Sequence, residues 1–131
     1  MKLLKFLCPI IILALLFSCS NSDSPSEEVT LKAITNNVLF WEYTPDTGNN
    51  TSRLRYEIEF HNPNNISING YYRIKQDADG LITTSISTNK SPCYTIEANS
   101  SCTLSFDEQD SHDLGKLNSL SLISVEYNIE N

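Results

Sequence analysis

Residues 53–61 have the sequence RLRYEIEFH, in which polar and apolar side chains alternate without a break. Leu54, Tyr56, Ile58 and Phe60 lie on one side of this stretch, and arginine, glutamate and histidine lie on the other. Successive side chains of a β-strand point to opposite faces of a sheet, so this period of two indicates a strand with one face in a core and the other in water. The stretch predicts a β-protein built on a half-buried sheet.

Shorter apolar segments lie on both sides of this strand and are separated by polar turn sequences. The further strands that we expect cover residues 29–35, 38–43, 66–76, 81–89, 93–97, 102–107 and 119–129. Turn signals such as Asn62-Pro63-Asn64-Asn65 and Asp77-Ala78-Asp79-Gly80 recur about every 8–12 residues, and no segment has a helical period. The pattern predicts an all-β fold, a single antiparallel β-sandwich of about seven strands.

The composition of individual strands gives more detailed expectations. In the first strand, Val29, Leu31 and Ala33 should point inward. Residues 38–43 are almost all apolar, which is typical of a strand that is covered on both faces. Residues 107–113 are rich in carboxylates and are expected to form an acidic loop.

Two strands contain signs of irregular pairing. Asn69-Gly70 in the middle of a strand suggests a bulge or a bend, because glycine weakens a regular ladder. The alternation of the last strand changes phase near Leu122-Ile123, which predicts a second bulge.

The segment from 56 to 107 resembles small immunoglobulin-like modules of the late-embryogenesis-abundant type 2 and FxLYD kind. The resemblance is carried by a strand that ends in Asn62-Pro63-Asn64, by Ile-x-Ile-x-Gly at residues 66–70, and by TIEANSS followed by TLSF within residues 95–106. It covers half of the chain after the first 18 residues. The resemblance implies an immunoglobulin-like sandwich and transfers no catalytic residue.

The N-terminus has the pattern of an export signal. Lys2 and Lys5 precede an uncharged run over residues 6–17, which is shorter than the roughly 20 residues of a spanning helix. Leu16-Phe17-Ser18-Cys19 resembles the lipobox of bacterial lipoproteins, although Phe17 is bulkier than the usual residue. The resemblance implies cleavage before Cys19, a diacylglycerol on its sulfur and acylation of the new N-terminus. The alternative is an ordinary secretory signal that contains a cysteine.

This interpretation divides the chain into a signal peptide (residues 1–18), a lipidated tether (19–28) and a β-sandwich domain (29–131). Residues 20–28 contain no apolar side chain, as expected of a flexible spacer. Ser20 differs from the aspartate that retains lipoproteins in the inner membrane of enteric-type bacteria, so the analogy implies the outer membrane. Asp23, Glu27 and Glu28 resemble the acidic export tags of Bacteroidetes surface lipoproteins, and periplasmic and surface locations both stay open.

The charge balance restricts the class of partner. The whole chain has 9 basic and 16 acidic residues, a net charge of −7, and loss of Lys2 and Lys5 with the signal changes this to 7 − 16 = −9. Phosphate contacts require clustered lysine and arginine, so we expect no nucleic-acid partner. The expected partners are a membrane, through the lipid, and a protein of unknown identity.

Cys93 and Cys102 are the two cysteines of the predicted domain, and they flank a turn. An exported protein meets an oxidising compartment, so a disulfide is expected, with two reduced and partly buried thiols as the alternative. Their spacing and surroundings do not favour a metal or redox role.

The acidic segments are expected to hold no metal and no cofactor. Asp77-x-Asp79-Gly80 resembles half of an EF-hand loop, but Ile86 stands where that loop needs a bidentate glutamate. Turn chemistry accounts for the segment. The carboxylates of residues 107–113, together with His112, are interpreted as a solvated connection.

No arrangement of residues predicts catalysis, and we expect a protein that is not an enzyme. Ser111, His112 and Asp113 are triad residue types, but neighbours in sequence cannot align as nucleophile, base and orienting group. Trp41 and Tyr43 are expected in the core, because apolar residues surround them.

One strand face is a candidate for binding. Tyr71, Arg73 and Lys75 share the side of their strand opposite Tyr72 and Ile74, which gives an aromatic and basic stripe on an acidic protein. The alternative is an ordinary solvated face on which Tyr71 packs against its cross-strand neighbour.

Three functions follow from these observations. The first is a non-enzymatic interaction or accessory module of the cell envelope. The second is an inhibitor or immunity lipoprotein that blocks an enzyme or toxin, and the third is a surface module that binds a glycan or another ligand through Tyr71.

Overall fold

The computed structural model describes residues 30–130. The predicted signal peptide, the tether, Cys19 and Val29 lie outside the described residues. The strands are β1 (Thr35–Thr44), β2 (Thr51–His61), β3 (Ile68–Ala78), β4 (Leu81–Ile86), β5 (Thr95–Ile96), β6 (Ser101–Ser111) and β7 (Leu120–Ile129), with a short 3₁₀ helix at His112–Leu114. The seven strands form two antiparallel sheets, which confirms the predicted all-β sandwich.

β2 and β3 are the central strands of the two sheets. β2 lies between β1 and β6, whereas β3 pairs with β7 along one side and with β4 and β5 along the other. Ile58 and Phe60 of β2 are 0% exposed, which confirms the buried face predicted from the alternation of residues 53–61. The core between the sheets consists of Ile34, Ile58, Phe60, Ile68, Tyr72, Ile74, Cys93, Ile96 and Leu104.

The two sheets meet along a seam formed by β1 and β7. The side-chain amide of Asn36 donates a hydrogen bond to the carbonyl of Val125 (3.1 Å), and the indole nitrogen of Trp41 donates one to the carbonyl of Leu120 (3.2 Å). The hydroxyl of Tyr43 donates to the carbonyl of Leu117 (2.9 Å). Side chains of one sheet therefore satisfy main-chain acceptors of the other.

The predicted strand at residues 29–35 is wrong. No strand covers residues 30–34, Ala33 is exposed, and Ile34 supplies the buried side chain instead. The main chain of Lys32 is bonded to a side chain: its N–H donates to Asn64 Oδ1 (2.8 Å), and Asn64 Nδ2 donates to its carbonyl (2.9 Å). These bonds replace the ladder bonds of a strand.

Residues 38–43 are a strand, but the expectation that both of its faces are covered is wrong. Val38, Leu39 and Phe40 are 36%, 48% and 40% exposed. β1 lies at the edge of its sheet, and its pairing with β2 is interrupted by a bulge between Val38 and Phe40. The bulge changes the alternation, so Phe40 lies on the outer face opposite Glu57.

The expected acidic loop at residues 107–113 is also wrong, because β6 continues to Ser111. Asp107 pairs with Arg55 in the ladder, and Asp110 pairs with Ser52. The guanidinium of Arg53 binds the carboxylate of Asp107 through two hydrogen bonds of 2.7 Å. β2 supplies both ladder partners and opposite charge, which permits a carboxylate-rich sequence to form a strand.

The strand pairing also shows the outcome at the two sites of expected irregularity and at the turn between Cys93 and Cys102. The bulge near Leu122-Ile123 is confirmed, because the β3–β7 register shifts between Lys75 and Gln76, opposite Ile123. Asn69-Gly70 contains no bulge, and the pairing there is regular. The turn between Cys93 and Cys102 does not close a hairpin, since β5 pairs with β3 and β6 pairs with β2.

Candidate functional site

The predicted disulfide between Cys93 and Cys102 is present, with a Cα–Cα distance of 5.6 Å. Cys93 precedes β5, which pairs with β3, whereas Cys102 lies on β6 in the other sheet. The bond therefore links the two sheets on the side opposite the β1–β7 seam. A loop of this length, with a sequence separation of 9, contributes about 2–3 kcal/mol in the chain-entropy model.

Tyr71, Arg73 and Lys75 all lie on the outer face of β3, as predicted from their spacing. Arg73 has Ile86 of β4 on one side and Glu126 of β7 on the other, and Lys75 has Thr84 and Ser124. We call the surface formed by Arg73, Lys75, Ile82, Thr84 and Ile86 the β3–β4 outer face.

Tyr71 is held by its neighbours rather than free. Its hydroxyl donates a hydrogen bond to Glu130 (3.1 Å), and its ring contacts that of Tyr94 at a centroid distance of 5.4 Å. Tyr94 also donates to the Glu130 carboxylate. These bonds to the carboxylate raise the pKa of Tyr71 and raise the pKa of Tyr94 to about 12. Tyr71 therefore holds the residue that follows β7, as in the alternative interpretation in which Tyr71 packs against neighbouring side chains. For this reason the β3–β4 outer face does not include Tyr71.

Arg73 and Lys75 are exposed and have no ion-pair partner among residues 30–130. The ion pairs of this part of the chain are Arg53–Asp107, Arg55–Glu42 and Lys116–Asp46. A shallow depression of about 180 Å³ lies beside the two cations and is lined by Arg73, Lys75, Thr84, Ser124 and Glu126. The surface offers two cationic groups that are available to an external anion.

Two exposed isoleucines adjoin these cations. Ile82 is 50% exposed and Ile86 is 59% exposed, and both lie on the outer face of β4. Their position beside Arg73 and Lys75 follows from the pairing of β3 with β4 and was not predicted from the sequence. The sequence signal for this register is the Asp79-Gly80 dipeptide, which is typical of a two-residue hairpin turn. In the structure both residues have positive φ (49° and 88°), and Ala78 pairs with Leu81.

The two carboxylates of the acidic turn at Asp77–Gly80 accept hydrogen bonds from other groups of the protein. The carboxylate of Asp79 accepts hydrogen bonds from the main-chain N–H groups of Asn118 (2.9 Å) and Ser119 (2.7 Å) and from both of their side chains. These bonds, led by that from the Asn118 N–H, lower the pKa of Asp79. Asp77 accepts from the N–H of Gly80 (2.6 Å). Within residues 30–130 no group of three or more histidine, cysteine or carboxylate side chains is arranged to hold a metal ion.

Ser111, His112 and Asp113 lie at the end of β6 and in the short helix that follows. Ser111 Oγ accepts a hydrogen bond from the N–H of Asp113 (3.1 Å) and caps that helix. The serine oxygen is thus used by the main chain, and the three residues form no nucleophile–base–acid series.

Trp41 packs inside the sandwich, as predicted, and is half-buried. Its ring stacks on Tyr56 at 4.9 Å, and Tyr56 stacks on Phe106 at 5.0 Å. Burial raises the pKa of Tyr56 to about 12. The three stacked rings lie side by side across the inner face of the β1-β2-β6 sheet, where they pack against one another.

The fold and its surface define a small all-β sandwich whose two sheets are joined by a disulfide. Comparison of the chain with models of protein families, with curated proteins and with solved structures found no match. In the part of the chain that the structure describes, no helix has the length and apolar character needed to span a membrane.

Proposed function

We propose that this chain is a cell-envelope lipoprotein, attached to the outer membrane by a lipidated Cys19, whose β-sandwich is a non-enzymatic interaction module. The lipobox-like sequence Leu16-Phe17-Ser18-Cys19 supports the anchor. With two or more acyl chains, the attachment would be stable, because each buried CH₂ contributes about 0.8 kcal/mol.

The disulfide between the sheets is the structural observation that supports export. Disulfides persist in oxidising compartments such as the periplasm and the cell surface, and they are rare in the cytosol. Cys93 is buried against the core, and the bond joins elements of both sheets. The envelope is the compartment in which this bond is maintained.

The β3–β4 outer face supports a protein partner. It combines Arg73 and Lys75, which have no ion-pair partner within residues 30–130, with the exposed side chains of Ile82 and Ile86. Asp77 and Glu126 lie on the same outer face, so the two cations form a small positive site that suits individual carboxylates of a partner, and the isoleucines add apolar area.

Replacement of Cys19 by serine tests the anchor. We expect Cys19→Ser to move the protein from the membrane fraction to the soluble fraction and to abolish incorporation of radiolabelled fatty acid, because the acylated sulfur is lost. Cell fractionation with immunoblotting measures the first effect. Cys8→Ser is the matched control, since Cys8 lies in the signal and should not affect attachment. A Cys19→Ser protein that stays membrane-bound to the same extent contradicts the proposal.

Charge reversal on the β3–β4 outer face tests the binding surface. We expect the double variant Arg73→Glu/Lys75→Glu to lose a partner that the wild type captures by crosslinking on intact cells, read by quantitative mass spectrometry. Lys90→Glu is the control, because Lys90 is exposed but lies in the 88–92 turn, outside this face. Equal capture by the double variant and the wild type contradicts the assignment of the surface. A captured enzyme that the protein inhibits would identify the inhibitor alternative.

A further inference from the structure

β4 is an edge strand without the usual protection. Its sequence, LITTSI, contains no charged residue and no proline, and its only ladder partner among residues 30–130 is β3. Leu81, Ile82 and Ile86 are exposed on it. An edge that is open, regular and apolar is a template for pairing with another strand.

The longer edges of the sandwich are protected. β1 has a bulge at Leu39, and main-chain acceptors of β7 are used by the side chains of Asn36 and Trp41. β6 carries three carboxylates in its second half, and the disulfide at Cys102 ties its first half to the other sheet. The contrast distinguishes β4 as the edge that is open to pairing with another strand.

The main-chain groups that face the open edge belong to Ile82, Thr84 and Ile86. The N–H of Ser87 donates to the carbonyl of Tyr72 (3.0 Å), so Ser87 points toward β3. Orientation alternates along an antiparallel strand, and Thr83 and Ser85 therefore also point toward β3. The intervening residues direct their N–H and C=O groups away from it.

We propose that β4 pairs antiparallel with β4 of a second copy of this chain, about a two-fold axis at Thr84. In this register Thr84 lies opposite Thr84 of the second copy, and Ile82 lies opposite Ile86 of the second copy. Every outward N–H and C=O of Ile82, Thr84 and Ile86 then has a partner. The exposed isoleucines cover each other, and threonine pairs with threonine, both favourable cross-strand combinations. The contact is isologous, because one strand supplies both halves.

The charged side chains beside β4 lie far from those of the second copy in this register. On the outer face Arg73 lies beside Ile86 and Asp77 lies beside Ile82. Pairing Ile86 with Ile82 of the second copy places Arg73 in one row with Asp77 of that copy, three strand spacings or about 14 Å away. Exposed charges separated by more than the Debye length of about 8 Å are largely screened, so these rows neither favour nor oppose the pairing, which rests on the main-chain groups and the isoleucines.

The contact is short, because β4 has only six residues. Interfaces below about 1,200 Å² are weak or transient, so the isolated pairing should be reversible. Confinement of both copies to one membrane would raise their effective concentration. The pairing does not depend on that confinement, and its failure would leave the proposed anchor untouched.

Thiol crosslinking of the full-length chain in the cells that produce it tests the pairing. In the Thr84→Cys variant, the two-fold axis brings the new thiols together, since opposed Cα atoms are about 5.5 Å apart. A short bismaleimide should convert this variant to a product of twice the monomer mass. Ser121→Cys is the matched control, because Ser121 is exposed on the same outer face but on β7. The wild-type chain measures the background from its own cysteines.

A register-specific rescue completes the test. Adding Ile86→Lys to Thr84→Cys should abolish the crosslinked product, because two lysines would then interrupt the apolar contact. Further addition of Ile82→Glu should restore the product, because each introduced lysine would then face the introduced glutamate of the second copy. The proposal is overturned if Thr84→Cys crosslinks no more than Ser121→Cys, or if Ile86→Lys leaves the product unchanged.

Discussion

Replacement of Asn62 by alanine is expected to lower the free energy of unfolding by about 3–5 kcal/mol, a large part of the 5–15 kcal/mol that stabilises a small domain. Asn62 is 0% exposed and follows β2 directly. Its Nδ2 donates hydrogen bonds to the carbonyls of Ile66 (2.8 Å), Ile96 (3.0 Å) and Glu97 (3.0 Å). Alanine would remove this donor from all three carbonyls, of which that of Ile96 also accepts a long hydrogen bond from Ser67 Oγ (3.5 Å).

The amide oxygen of Asn62 extends the effect to the start of the described domain. It accepts hydrogen bonds from the main-chain N–H (3.0 Å) and the side-chain amide (2.9 Å) of Asn64. Asn64 in turn holds the main chain of Lys32 through two further bonds. One side chain therefore connects the turn after β2, the segment around Ile96 and residues before β1. Each buried group left unsatisfied costs about 1–3 kcal/mol.

Urea unfolding followed by the fluorescence of Trp41, the single tryptophan, measures this effect. Asn65→Ala is the matched control, because Asn65 belongs to the same turn but is exposed, and a change within about 0.5 kcal/mol is expected there. A loss below about 1 kcal/mol for Asn62→Ala would show that water or local rearrangement replaces the amide.

Replacement of Gly70 by alanine is expected to cost about 3 kcal/mol or more. Gly70 is buried in β3, and a Cβ built on it lies 2.4 Å from the carbonyl oxygen of Asn128 and 2.4 Å from the ring of Tyr127. A main-chain oxygen cannot rotate aside, so β7 must move away from β3. Tyr127 would move with it and lose its hydroxyl bonds to the carbonyls of Cys93 (3.0 Å) and Tyr94 (2.8 Å).

Gly80→Ala separates this steric effect from backbone strain. Gly80 has a φ of 88° and nothing within 4 Å of an added Cβ, so alanine there meets only the cost of a left-handed conformation, about 1–2 kcal/mol. The two variants are compared in the same urea titration. Equal losses would contradict the close approach of β7 to Gly70.

The same glycine illustrates what a sequence pattern can and cannot identify. The pattern at Asn69-Gly70 predicts a bulge or a bend, which is one of the two common reasons for glycine within a strand. The other reason, close approach of a neighbouring backbone, applies here. The distinction depends on β7, which pairs with Gly70 through Ile129, near the far end of the described chain.

The sequence of this protein determined the features that arise within a single strand or a short turn. The alternation of residues 53–61 identified β2 and its buried face, and the phase change at Leu122-Ile123 located the bulge of β7. Asp77-Ala78-Asp79-Gly80 identified the turn between β3 and β4. Two cysteines on either side of one turn predicted the disulfide. Each of these follows from local periodicity or turn geometry, which the order of residues contains directly.

Tertiary structure decided which strands became neighbours and which became edges. It exposed Leu39 and Phe40 on an edge although their sequence is that of a covered strand, and it extended β6 through a carboxylate-rich segment beside the arginines of β2. It also buried Asn62 and placed Ile86 beside Arg73. These outcomes depend on contacts between residues far apart in the chain, and local pattern carries no information about which strand will lie alongside another.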